Sequence, residues 1–121
     1  QEGELNKYHL QIVSGIFFVP YSANLFFMHF VYIIYSPSKE TYYIGETSDI
    51  QIRIQWHNSG QFKNSHTKIA NDWILFYSIA CINIEQARKI EKHIKSMKSK
   101  TYLLNLKKYP EITEKLLLKY S

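Results

Sequence analysis

A chain of 121 residues has the length of one domain, and its make-up of 45% hydrophobic and 21% charged residues excludes a disordered tail. Its formal charge of +5 draws it toward polyanions, nucleic acid first among them. The single cysteine, Cys81, excludes an internal disulfide, and no Cys/His grouping has zinc-ligand spacing. Cys81 in Ile79-Ala80-Cys81-Ile82 therefore reads as a small core residue, and the protein as cytoplasmic.

In chain order, residues 1–27 come first and are the least patterned. They mix apolar stretches (Ile16-Phe17-Phe18-Val19, Leu25-Phe26-Phe27) with Gln11, Ser14, Pro20 and Asn24. None reaches the roughly 20 apolar residues of a membrane span, and Glu2 and Glu4 stand where a signal peptide carries cations. The first methionine is Met28. The expectation is an N-terminal extension or leader over 1–27, or an extra strand laid on the domain, with the domain proper over 28–121 and no membrane association.

From Phe30 the pattern sharpens. Phe30 to Tyr35 is a β-rich run, Ser36-Pro37-Ser38-Lys39-Glu40 a polar turn, and Thr41 to Ile44 a second β-rich run that Gly45 ends, which together predict a hairpin. Between Asp49 and Asn58, Ile50, Ile52, Ile54 and Trp56 alternate at strand period. The flanks overrule it: Ser48 or Asp49 can cap a helix and Asn58-Ser59-Gly60 can stop one, which sets Arg53 and His57 one turn apart on a common face. A polar loop over 60–72 contains His66, Thr67 and Lys68. Trp73 to Ile82 reads as a third, buried strand. Asn83 opens a helix, Gln86 completes a capping box, and Ala87, Ile90, Ile94 and Met97 form one apolar stripe. A shorter helix follows around Tyr102 to Leu106, and Pro110 starts a last one through Leu116-Leu117-Leu118. The predicted fold class is α+β, a three-stranded, mostly antiparallel sheet flanked by helices in the order ββαβα plus trailing helices.

Three groups of residues bear on chemistry. Between Arg88 and Lys108 there are eight Lys or Arg and one acid, Glu91. Glu91 borders the Ile90/Ile94 stripe, so it is either half of an i, i+4 pair with Lys95 or a carboxylate holding a divalent cation that keeps most of its water. Arg53 offers a planar fork to phosphate oxygens, and His57, one turn on, can donate to the same phosphate or move a proton; two polar residues on a surface helix are the plainer alternative. Tyr32 and Tyr43 on the hairpin are either cross-strand packing or, since a phenol beside a cation ionises more readily, acid–base groups.

Their order is more telling than any one of them. Val31-Tyr32-Ile33, then Tyr43-Ile44-Gly45, then Arg53-Ile54-Gln55-Trp56-His57-Asn58 eight residues after Gly45, then Glu91 on a capped helix, resembles the GIY-YIG nuclease family over about residues 29–108. The resemblance is to the small stand-alone bacterial type, related to the nuclease half of the excision-repair endonuclease, which suggests DNA repair. The first triplet departs from the family's Gly-Ile-Tyr, and Glu46 is an acid where some relatives carry a cation. The late polar residue of the family matches Asn105.

The resemblance implies an endonuclease that hydrolyses DNA phosphodiesters with one Mg²⁺ or Mn²⁺, RNA not being excluded, working as a monomer or weak homodimer. Glu91 would hold the metal. Tyr43 would take a proton from the attacking water, Arg53 would neutralise charge on the phosphate, His57 would assist by hydrogen bonding, and Tyr32 would position water or phosphate. Gly45 would leave room for the backbone turn beside the site. Lys68, Arg88, Lys92 and Lys95, with Lys89 and Lys98, would hold flanking phosphates without reading sequence. The alternatives are a non-catalytic nucleic-acid-binding module on the same scaffold and an interaction protein pairing through residues 1–27 or the Leu116–Leu118 run.

Overall fold

The computed structural model describes residues 11–13, 17–19, 28–60 and 66–121, with side chains over the last two ranges. The first two ranges are strands β1 (Gln11–Val13) and β2 (Phe17–Val19), paired antiparallel in a sheet of their own. Strand β2 lies against the domain strand formed by Ile74–Cys81, and the rest of the expected extension lies outside the described residues.

The domain is organised on strand β3 (His29–Ser36). It is the middle of a three-stranded sheet, flanked by β4 (Thr41–Thr47) and β5 (Ile74–Cys81), and both pairings are antiparallel. A central strand covered on both faces needs apolar residues at every position rather than alternation. That is why Phe30 to Ile34 is an unbroken buried run. Phe30, Tyr32 and Ile34 pack with Ile50, Trp73 and Ala80 on one face. Val31 and Ile33 pack with Ile79, Cys81, Ala87, Ile90, Ile94, Leu103, Leu106 and Leu116 on the other. Each of the Val, Leu, Ile and Phe side chains among them contributes about 1.5–3 kcal/mol of burial free energy. The register slips by one residue beside Ile33/Ile34, a bulge that bends β5 against β3.

Helix α1 (Ile50–Ser59) lies on the first face, followed by a 3₁₀ turn (His66–Ile69). Helices α2 (Ile84–Met97), α3 (Lys100–Lys108) and α4 (Pro110–Lys119) build the second face. No helix among the described residues is long and apolar enough to cross a membrane. The fold class and element order match the sequence expectation.

Three local expectations need correction. Gly45 does not end its strand; β4 runs on to Thr47 because its ladder with β3 continues through Phe30↔Thr47. The capping box is displaced by one residue. Asn83 accepts from the Gln86 N–H, but the Gln86 amide oxygen accepts from the Ile82 N–H, and its nitrogen donates to the Leu117 carbonyl, tying α4 to the start of α2. Met97 is 43% exposed, since the helix stops at Lys98 in a left-handed conformation and the stripe is continued by Leu103 and Leu106 instead.

Candidate active site

On β3 and β4, the pairs Tyr32↔Gly45 and Ile34↔Tyr43 put Tyr32, Tyr43 and Gly45 on the face that α1 covers. Helix α1 begins where the Asp49 carboxylate accepts the Ile52 N–H, and it stops at Gly60, whose positive φ closes the last turn. Between those caps, Arg53 and His57 project toward the same two strands. Asn58 fixes the far end of the helix: its amide accepts from the Trp73 N–H (2.7 Å) and donates to the Trp73 carbonyl (3.0 Å).

The result is a cluster centred on a buried phenol. Tyr32 is 1% exposed, and its hydroxyl lies 2.8 Å from His57 Nε2. His57 Nδ1 lies 2.6 Å from the hydroxyl of Thr67, itself buried, in the 3₁₀ turn. Tyr43 closes the group, with ring centres 6.3 Å from Tyr32 and 5.2 Å from His57. Arg53 lies over the Trp56 ring, 5.6 Å from its centre.

The electrostatics report the same convergence. Burial pushes the Tyr32 phenol well above its ordinary pKa, and Tyr43 adds to the push. The Arg53 guanidinium pulls it back by charge and by a hydrogen bond, and the Glu91 carboxylate raises it slightly. Tyr43, Arg53 and Glu91 are thus all within electrostatic reach of one phenol oxygen. His57 is lowered to about 4, first by burial and then by Arg53, so the imidazole is neutral at pH 7. Burial raises Cys81 to about 12, which leaves an unreactive core thiol, as its sequence context suggested.

Glu91 comes from α2, and its side chain is 17% exposed. Lys95 Nζ sits 2.6 Å from Oε2, so the i, i+4 pair weighed from sequence is present, and Glu91 reaches Tyr32 through its charge alone. Among the described residues there is no group of three His, Cys, Asp or Glu able to cage a metal. A lone, half-buried carboxylate suits a cation that retains several waters, such as Mg²⁺ or Mn²⁺, and does not suit zinc. Glu46 turns to the opposite face of the sheet, where His29 and Arg88 pair with it.

The remaining sequence candidates spread out. Gly45 sits against Tyr32. A Cβ there would lie 2.6 Å from the phenol oxygen, so the glycine makes room for a side chain rather than for a backbone turn. Arg88 and Lys95 flank Glu91 along α2. Lys92 is on another side of the helix, in a recess of about 270 Å³ with Lys89, His93, Ser96 and Tyr120. Lys68 opens with Lys39 onto a cleft of about 370 Å³ lined by Ser38, Asn58 and Gly60. Asn105 lies on α3, where its carbonyl accepts the Tyr109 N–H. Thr67 is the residue that sequence reasoning passed over: it stood in a polar loop with no periodicity to mark it.

Comparison with known proteins identifies one family. The family model described as the GIY-YIG catalytic domain matches residues 28–105. No curated protein and no solved structure matches the chain.

Proposed function

The chain belongs to the GIY-YIG family and is a nuclease domain, and from that premise we propose a DNA endonuclease working through a single divalent cation held by Glu91. The observation that carries the proposal is the convergence on Tyr32, whose phenol bonds His57 and feels Arg53, Tyr43 and Glu91 at once. Residues scattered from position 32 to position 91 come together here: a buried phenol and imidazole, with a guanidinium and a less buried second phenol on the same face of the sheet and a carboxylate of α2 within electrostatic reach. A phosphodiester gives each of them something to do.

Arg53 is the group that meets the phosphate. Its charge and fork geometry neutralise the extra negative charge that builds on the non-bridging oxygens. Tyr43, less buried than Tyr32, takes the proton from the attacking water. Tyr32 is held as a neutral phenol whose oxygen orients the attacking water by accepting a hydrogen bond from it. His57, neutral and clamped between Tyr32 and Thr67, keeps that phenol in place. Glu91 would hold Mg²⁺ or Mn²⁺, exchanging its contact with Lys95 for the cation. When bound, that ion polarises the phosphoryl group and stabilises the leaving oxygen. Lys68, Lys92 and their neighbours hold the flanking backbone, which gives affinity without sequence preference.

The decisive experiment is nicking of a supercoiled plasmid with and without Mg²⁺ or Mn²⁺, using wild type and Glu91→Ala. Wild type is expected to cut only with the metal, and the variant to bind DNA with little change and not cut. An intact plasmid under every metal condition would leave a nucleic-acid-binding module without this chemistry, and equal cutting by the variant would remove Glu91 from the mechanism.

A further inference from the structure

Tyr32 and His57 meet across 25 positions of sequence, and their hydrogen bond can run in either direction. Its direction matters. A neutral imidazole carries one proton, on Nδ1 or on Nε2, and the bond made by one nitrogen decides what the other can do. With the proton on Nε2, the ring donates to the phenol oxygen and the phenol's own proton must turn elsewhere. With the proton on Nδ1, the phenol donates to Nε2 and its oxygen keeps lone pairs free on the side of Arg53.

Two neighbours bear on the choice. The Tyr32 oxygen already accepts from the Arg53 guanidinium, a donor that never gives up its protons. Thr67 Oγ1 stands 2.6 Å from His57 Nδ1, and Thr67 is 1% exposed, so no bulk water competes for that contact. The turn that carries Thr67 is itself fastened, because its carbonyl accepts the Trp73 indole N–H at 2.9 Å and the Ala70 N–H at 3.3 Å. Asn58 holds the backbone of the same Trp73. The hydroxyl is thus fixed in place before any substrate arrives.

We infer that Thr67 is a positioning residue of the nuclease site: its hydroxyl accepts from Nδ1–H and holds His57 in the tautomer whose Nε2 receives the Tyr32 proton, leaving the lone pairs of the phenol oxygen for Arg53 and the attacking water. This rests on the nuclease reading for its consequence in catalysis, but the tautomer itself does not.

The side chain acts through its hydroxyl alone, so valine, its apolar isostere, removes the function and serine keeps it. The test measures the ring-nitrogen NMR shifts of His57 in ¹⁵N-labelled wild type, Thr67→Val and Thr67→Ser, together with metal-dependent plasmid cleavage by each. Wild type and Thr67→Ser are expected to share the Nδ1–H tautomer and to cut at similar rates. Thr67→Val should move the proton to Nε2 and lower kcat roughly 10–100-fold with KM little changed, by analogy with loss of a partner that orients a metal-ligating histidine. An unshifted tautomer in Thr67→Val, or a Thr67→Ser variant as slow as Thr67→Val, overturns the assignment. Should wild type itself fail to cut with either metal, the nuclease reading falls and the nitrogen spectra alone still decide the role of Thr67.

Discussion

A methyl group on Gly45 would sit 2.6 Å from Tyr32 Oη, 2.7 Å from Cζ and 2.9 Å from Cε1. No real Cβ tolerates that, and the ring cannot retreat without leaving His57. Gly45→Ala is therefore expected to lower stability by about 1–3 kcal/mol, the common cost of overpacking, and to depress cleavage more than it depresses DNA binding; urea denaturation and a binding titration read the two effects. His57 gives a second expectation. Its pKa is about 4 in the folded chain against 6.5 ordinarily, so below pH 6.5 the unfolded chain takes up a proton that the native site refuses. Stability should fall as pH drops from about 6.5 to about 4 and then level off, by on the order of 2 kcal/mol after allowance for solvent screening. Denaturant unfolding across that window checks it, and His57→Gln should flatten that part of the profile. At this scale the sequence displayed the residue types and their order, since Tyr43-Ile44-Gly45 and the Arg53/His57 spacing are local. The reason for Gly45 was hidden, because the atom it yields to belongs to a residue on the adjacent strand. Thr67 was hidden for the same reason: its partner is fixed by tertiary packing, and a threonine in a polar loop carries no mark of what it will touch.

Among the elements, α1 shows how far pattern reaches. Ile50, Ile52, Ile54 and Trp56 alternate as in a strand, yet the segment is helical, with Ile50 buried, Ile54 partly so, and Ile52 and Trp56 43% and 42% exposed. The caps settled its type, Asp49 at one end and Gly60 at the other, because they satisfy backbone groups that no side-chain periodicity addresses. The hairpin, β5 and α2 were legible for a different reason: each buries one continuous surface, and burial writes itself into local hydrophobicity. What local pattern could not carry were the ties between elements, which join residues far apart in the chain. Asn58 is such a tie. It closes two hydrogen bonds on the backbone of Trp73 and so sets where β5 begins relative to α1. Asn58→Ala leaves a partly buried N–H and carbonyl without partners, for an expected loss of about 1–3 kcal/mol. Because the same tie fastens Trp73, and through it the turn that carries Thr67, cleavage measured at low temperature should fall along with the thermal midpoint.

For the molecule as a whole, the formal charge of +5 is unevenly available. Arg88 is engaged with Glu46 and Lys95 with Glu91, so two cations that the sequence offered as phosphate holders already face acids. Lys68 and Lys92 have no acidic partner among the described residues, and each lines an open recess, one beside the end of α1 and one across α2. Binding to a phosphate backbone is driven by release of its counterions, so affinity falls with salt in proportion to the number of phosphates neutralised, by about 0.9 in log–log slope for each. Fluorescence anisotropy with a labelled duplex, titrated between about 50 and 200 mM salt, should therefore separate the two kinds of cation. Lys68→Ala and Lys92→Ala are each expected to shallow the slope by roughly one contact, whereas Arg88→Ala should change it by less, because the charge of Arg88 is already engaged by Glu46 and neutralises no phosphate. A slope that drops as much for Arg88→Ala as for Lys68→Ala would mean that Arg88 leaves Glu46 when nucleic acid binds.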